Sequence, residues 1–189
     1  TQFLHHQDNP YTFSKCVNEE VLQLYNKIYD LEYHMLYFYN VYGPREADYG
    51  EYSTVVRAFK KCVEEGTPLR VFGSGRKQRD FTHIHDVIDG ILKLLTTKSK
   101  PRNVHLGSGN PVSILDIAKA FDHDFIHEFD KPGEAEITEC EKPYIEPSYN
   151  VIAYIKKWKQ DFEEEQILHN VNKDLRKVEE KYAKIDSGQ

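Results

Sequence analysis

Short apolar runs alternate with amphipathic stretches along most of this chain, and that alternation constrains the fold before any single residue is considered. Asn9-Pro10 opens a helix, because proline suits a first turn and an asparagine before it caps. Phe13, Val17, Val21, Leu22, Leu24, Tyr25 and Ile28 then recur at helical spacing to about residue 29. EYHMLYFYNVYG reads as a buried strand ending at Gly43-Pro44, and YSTVVRAFKKCVEEG as a second helix stopped by Gly66. PLRVFGSG is a short strand and glycine turn, DVIDGILKLLTT a helix that Asp86 caps, and NVHLGSGNP another strand and turn. Ser113-Ile114-Leu115-Asp116 has the capping-box pattern ahead of a helix ending near Phe121. Residues 122–150 are poorer in pattern and read as loops and short strands. Strands alternating with helices indicate an α/β domain.

Composition narrows the function. The chain is 39% hydrophobic and 13% aromatic, enough to bury a core. A net charge of −6 argues against a nucleic-acid partner, which needs a basic stripe. No apolar run approaches a membrane span, and TQFLHHQD lacks the features of a signal peptide. Cys16, Cys62 and Cys140 have no C-x-x-C spacing, so reduced thiols and a cytoplasmic location are expected. Met35 is the only methionine, which makes Thr1 a processed end or a cut.

The last segment differs in kind. Leu168, Val171, Leu175, Val178, Tyr182 and Ile185 step 3-4-3-4-3, a heptad seam on an otherwise charged helix. Two readings stand: a helix laid on its own domain or frayed in solvent, or one that pairs with a partner or with itself. The domain division expected is 1–155 for the α/β part and 156–189 for the charged helical tail.

Near the start, NPYTFSKCVNEE puts Tyr11 and Lys15 four apart, on one face of the first helix. Such a pair suits a tyrosine that works as acid and base near neutrality. Bringing a phenol from its usual pKa of about 10 to near 7 takes about 4 kcal/mol. One ammonium about 6 Å away supplies roughly 2.8 kcal/mol at an effective dielectric of about 20. The spacing alone also fits an amphipathic helix with a surface lysine.

The context of the pair carries more weight. NPYTFSKCVNEEVLQLYNKIYDLEYHMLYFYNVYGPRE, then PLRVFGSGRKQRDFTHIHDVIDGI, then NVHLGSG, resembles the extended short-chain dehydrogenase/reductase family of NAD-dependent nucleotide-sugar epimerases and dehydratases. Within it the chain is most similar to the UDP-glucose and UDP-N-acetylglucosamine 4-epimerase branch, over roughly residues 8–158. The resemblance implies a partial Rossmann-like doubly wound parallel sheet, lacking its N-terminal strands, with a small α/β substrate-binding lobe and a C-terminal helical tail. It implies Tyr11 as catalytic acid/base and Lys15 as the residue that holds the nicotinamide ribose and lowers the tyrosine pKa, so that both are catalytic and cofactor-binding.

Further implied roles follow the motifs. In YNVYGPR, Asn40 contacts the nucleotide diphosphate; the family's arginine three residues earlier is Tyr37 here. In PLRVFGSG, Val71 and Phe72 line the base, though Phe72 equally fits ordinary core. In KQRDF, Arg79 grips the diphosphate, for which a planar fork is suited; the alternative is a surface arginine paired with Asp80 or Asp86. In DKPGEAE, Lys131 stands where the family has arginine, and Glu134 binds ribose hydroxyls. His83 and His85 alternate on a strand without a third metal ligand, so no metal is expected. Gly73-Ser74-Gly75 and Gly107-Ser108-Gly109 read as turns and not as phosphate cradles.

The family's G-x-x-G-x-x-G turn, which seats the dinucleotide pyrophosphate on a helix N-terminus, does not occur in this sequence. Three explanations stay open: a fragment of a longer protein, a separate N-terminal nucleotide-binding half, or a repacked remnant. The implied cofactor is NAD, not retained by this chain alone. The implied partners are a UDP-sugar and a second copy, as a homodimer through helices 10–29 and 53–65. The implied activity is UDP-sugar 4-epimerisation through a 4-keto intermediate, or the substrate-binding half of it; a 4,6-dehydratase and a non-catalytic remnant are the alternatives.

Overall fold

The computed structural model describes residues 10–47, 53–98, 101–130 and 133–186, with the side chains of 11, 12 and 178–186 excepted. Helix α1 (Pro10–Tyr29) leads into strand β1 (Met35–Phe38), which pairs in parallel with β6 (Asn103–Leu106). Helix α3 (Ile84–Thr96) covers one face of that pair, where Val87 and Leu94 pack with Val104, Leu106 and Ile145. The opposite edge of β1 carries no strand among the described residues.

A second core forms around β3 (Leu69–Phe72) and β8 (Phe125–Glu128), also parallel. Helices α2 (Val55–Glu65) and α4 (Ile114–Ala120) and the root of α5 (Val151–Asp186) close over it, burying Phe59, Leu69, Val71, Phe121 and Ile155. Between the two cores, β2 (Val41–Tyr42) pairs in parallel with β5 (Thr82–His83). There too, β4 (Gln78–Asp80) lies between antiparallel β7 (Pro111–Ser113) and parallel β9 (Ile137–Thr138).

Local signals set most boundaries. The Thr54 hydroxyl caps α2 by accepting from the Arg57 N–H at 3.2 Å, and Gly66, at φ 66°, ends it in the left-handed region that favours glycine. Ser113 caps α4, accepting from the Asp116 N–H at 3.0 Å and donating to its carboxylate at 2.7 Å. Helix α1 begins at Pro10, as expected; Asn9 lies outside the described residues. Helix α3 differs from expectation. Its cap is His83, whose Nδ1 accepts from the His85 N–H at 3.2 Å. Asp86 sits inside the first turn and instead accepts from the Ser148 and Tyr149 N–H groups at 3.0 and 3.3 Å.

The two helices expected to form a homodimer present different faces. Helix α2 spends its apolar face, Val56, Phe59 and Val63, inside the core, while Arg57–Glu64 and Lys61–Glu65 pairs lie along it outside. Its outward surface is therefore mainly charged. Helix α1 keeps Val21, Leu24, Tyr25 and Ile28 exposed. The division expected at 155/156 falls inside one unbroken helix, α5.

Two buried polar knots join these parts. Asp80, with no exposed surface, accepts at Oδ1 from the Ser108 N–H and hydroxyl at 2.8 and 2.6 Å. Its Oδ2 accepts from the N–H groups of Gly109 and Cys140 at 2.9 and 3.0 Å. Gly107 is required beside it, because a Cβ there would strike Cys140 Cβ and come within 2.8 Å of the Tyr39 ring. In the second knot, Lys60 is 5% exposed. Its Nζ donates to Glu46 Oε2 at 3.1 Å and to the Tyr154 hydroxyl at 2.9 Å, and lies 5.5 Å from the Trp158 ring centre.

Asp80→Asn replaces one acceptor by an amide that faces two N–H donors. A loss of roughly 2–5 kcal/mol in urea unfolding is expected; a change within about 0.5 kcal/mol would mean that the knot contributes little.

Candidate active site

The first turns of α1 place Lys15 one helical turn after Tyr11. Lys15 lines a cleft of about 930 Å³ between α1 and the free edge of β1. Asn18, Val21 and Leu22 continue the helix wall; Met35 to Asn40 form the strand wall, and Thr138 of β9 stands at one side. The cleft runs along the edge of β1 that no strand pairs among the described residues, so its walls combine apolar side chains with main-chain hydrogen-bonding groups of a strand edge.

Asn40, in the bend between β1 and β2, shares this cleft with Lys15. Its side chain donates to the Asp80 carbonyl at 3.1 Å and its carbonyl accepts from the Thr82 N–H at 3.3 Å, which holds the strand end against β4 and β5. Arg79 is in register with Thr138 across β4 and β9, and so stands beside the same cleft. Its guanidinium donates to the Gln78 and Ala135 carbonyls, both at 2.8 Å, and to Glu134 Oε2 at 3.1 Å. The expected diphosphate and ribose residues are therefore a pair, and neither Asp80 nor Asp86 is the arginine's partner. Lys131 lies outside the described residues.

The base-lining pair separates. Strand β3 alternates inward and outward, so Val71 is fully buried among Phe59, Ile117 and Phe121 while Phe72 is 36% exposed. The Val71 side chain belongs to the core, which leaves its main chain, the part expected to border the base, for contact. Neither residue is among those that line the cleft.

Sequence reasoning missed an aromatic array on the α1 side of β1 and β6. Tyr37, which replaces the family's arginine, donates to Glu19 Oε2 at 3.2 Å and stacks on His105, rings 4.6 Å apart. Burial raises the Tyr37 phenol, and the Glu19 carboxylate adds to it. The Tyr39 hydroxyl lies 2.9 Å from His105 Nδ1, and its phenol is pushed up to about 12, chiefly by burial. The signal available was spacing: Tyr37 and Tyr39 are two apart on a strand and so share a face.

The alternating histidines serve structure. His83 is 3% exposed and stacks on Tyr149, rings 4.0 Å apart. Among the described residues no three metal-ligating groups converge. At the Gly107-Ser108-Gly109 turn, the Ser108 and Gly109 N–H groups are satisfied by the Asp80 carboxylate, which leaves them no anion to cradle.

The model of the NAD dependent epimerase/dehydratase family matches residues 1–107, more than half of the sequence. The chain belongs to that family. It is 35% identical over 133 residues to a putative UDP-glucose 4-epimerase of Methanocaldococcus jannaschii, covering 68% of this chain and 43% of the relative. It is 30% identical over 112 residues to the UDP-glucose 4-epimerase of Mycolicibacterium smegmatis, covering 59% and 36%. The UDP-glucose 4-epimerase of Thermotoga maritima, solved with UDP-glucose, superposes with a TM-score of 0.72 at 25% identity, over 85% of this chain and 55% of that one. The UDP-glucuronic acid 4-epimerase of Bacillus cereus, solved with UDP-glucuronic acid and NAD, gives 0.65 at 27% identity, over 79% and 53%. The chain thus carries part of a Rossmann-type epimerase fold and spans less than half the length of these curated relatives. Among the described residues no helix is long and apolar enough to cross a membrane.

Burial holds His83 below the ordinary histidine pKa, with the neighbouring His85 next in effect. The folded state therefore binds its proton less readily than the unfolded state. Stability is full above the unfolded pKa of about 6.5 and falls as pH drops from there toward the lowered folded value. His83→Asn, which keeps a capping side chain, is expected to flatten part of the wild-type loss in melting temperature between pH 7 and pH 5 (roughly the window set by that reference pKa). An unchanged slope would remove His83 from the account.

Proposed function

We propose that this chain contributes the substrate side of a UDP-sugar 4-epimerase, with Tyr11 as acid/base, Lys15 as its electrostatic partner, and Asn40 and Arg79 as diphosphate contacts. The observation that carries the reading is the shared cleft: Lys15 on one wall and Asn40 at the end of the other, with Arg79 held in register beside Thr138.

In this reading Tyr11, as phenolate, takes the proton from the sugar 4-hydroxyl while Lys15 stabilises the negative charge. Tyr11 then returns the proton to the same oxygen once C4 has been reduced on its other face. Removal and return of one proton leave the residue unchanged, so the reaction needs no outside acid. Asn40 and Arg79 anchor the diphosphate throughout, which leaves the sugar as the part free to turn.

NAD fits this chain in part. Lys15 is a suitable donor for the nicotinamide ribose. Among the described residues the pyrophosphate finds no cradle, because the Gly107 turn is closed by Asp80, and Gly73 and Gly75 donate their N–H groups to the Glu128 and Phe72 carbonyls. When bound, NAD would supply the hydride chemistry at C4. Its phosphates would be held by a nucleotide-binding half that carries the glycine turn, for which the edge of β1 left unpaired among the described residues is the place to pack.

Arg79 meets a UDP-sugar already paired with Glu134, at side-chain exposures of 14% and 45%. The diphosphate must take over at least one of these bonds, and two negative charges outcompete a single half-exposed carboxylate.

Two measurements test the proposal. In the enzyme completed with its nucleotide-binding half, Tyr11→Phe should abolish epimerisation, followed by conversion of UDP-glucose, while calorimetric UDP-glucose affinity is kept; unchanged turnover would refute the role. Arg79→Ala should weaken UDP binding roughly 10- to 100-fold, the weight of a charged hydrogen bond or two. Equal affinity would remove Arg79 from the diphosphate site.

A further inference from the structure

The tail of α5 leaves the body of the protein with an apolar stripe that the described residues do not cover. At the root of the helix, Val151, Ile155, Trp158 and Phe162 face the core. Beyond Phe162 the apolar residues change sides. At about 100° per residue, Leu168, Val171 and Leu175 lie roughly 140° around the helix from the core stripe. They are 61%, 50% and 55% exposed. A helix laid along its own domain keeps one apolar stripe, whereas this one has two on different faces. In the sequence the second stripe continues at Val178, Tyr182 and Ile185, which completes a coiled-coil seam.

We propose that the seam pairs with a second copy of this chain as an antiparallel two-helix coiled coil over residues 168–185. The seam is symmetric about its centre. One two-fold axis sets position 168 opposite 185 of the other copy, 171 opposite 182 and 175 opposite 178, so every layer of the seam is apolar on both sides. Charge chooses the direction. Antiparallel pairing puts the flanking positions Asp174 and Lys181 of opposite copies together, twice. Parallel pairing puts Asp174 against Glu179, twice, and this repulsion offsets its attractive pair, Lys181 with Asp186. The present partner of Asp174 is Lys177, at 2.9 Å with both side chains mostly exposed, a weak contact that exchanges at little cost.

Geometry agrees with charge. The seam begins six residues beyond Phe162, about 9 Å along the helix, whereas a body of this size has a radius of gyration of about 15 Å. Parallel tails would drive the two bodies into each other; antiparallel tails hold them at opposite ends. The helix is also rooted in a packed core, so pairing does not have to nucleate it from coil. The seam is only about 27 Å long, and the dimer accordingly dissociates on dilution.

Sedimentation velocity of the 189-residue chain over a concentration series tests this. A reversible monomer–dimer equilibrium is expected, with Leu168→Glu and Leu175→Glu each monomeric and unchanged in thermal melting, since both positions are exposed. Asp174→Lys should raise the dimer dissociation constant roughly tenfold, Lys181→Asp likewise, and the double exchange should restore it. A chain that is monomeric throughout overturns the proposal. So does a dimer that survives Leu175→Glu and is lost with Leu24→Glu on α1, or one that Asp174→Lys tightens, as parallel tails require.

Discussion

The Asp80 carboxylate is the point from which the arrangement of the strands follows. Four donors converge on its two oxygens, from Ser108, Gly109 and Cys140. Those residues lie on the turn between β6 and β7 and on the segment after β9, so one side chain of β4 fastens the ends of the two strands that flank it in the β7–β4–β9 sheet. Leaving such a group without donors in a dry interior would be costly, and each donor would be orphaned in turn. The same residue's carbonyl receives the Asn40 amide. Thus the end of β1, and with it the far wall of the cleft, is positioned by the residue that ties β4 to its neighbours.

The cleft inherits its character from what flanks it. One wall is a helix with apolar residues at Val21 and Leu22, the other is a strand edge whose hydrogen-bonding groups find no strand among the described residues. A buried parallel strand is ordinarily paired on both sides and covered on both faces. Here α3 covers one face, and the edge remains. Lys15 lines this trough on the helix side, and Arg79 is in register with Thr138, which lines it as well.

Much of the fold was legible because its signals are local. Thr54, Gly66 and Ser113 act through bonds to residues within four positions, so their sequence spacing is their geometry. Strand alternation indicated that Val71 and Phe72 face opposite ways, but not which of them faces inward; the position of α2 and α4 decided that. Asp86 illustrates the converse. Aspartate is a stronger capping residue than histidine, yet the Ser148 and Tyr149 amides, more than sixty residues away, took its oxygens and left the cap to His83. The polar knots were illegible for the same reason. Helical spacing puts Lys60, four after Val56 and three before Val63, on the buried face and Lys61 off it, but nothing local names its partners, and nothing in QRDF says that its aspartate is wrapped by backbone from a glycine turn. At the site, Lys15 and Asn40 were recoverable from motif, whereas the Arg79–Glu134 pairing and the Tyr37–His105–Tyr39 array depend on which strands become neighbours.

Those two adjacent lysines have unequal chemical fates. The amine of Lys61 stands in water beside Glu65, with half its side chain exposed. That of Lys60 is enclosed by a carboxylate, a phenol and an indole drawn from the loop after β2 and from the root of α5. An acylating reagent meets the first at every collision and the second only when α5 lifts from the core. The chain thus carries, in consecutive residues, an internal standard and a gauge of whether its longest helix is seated.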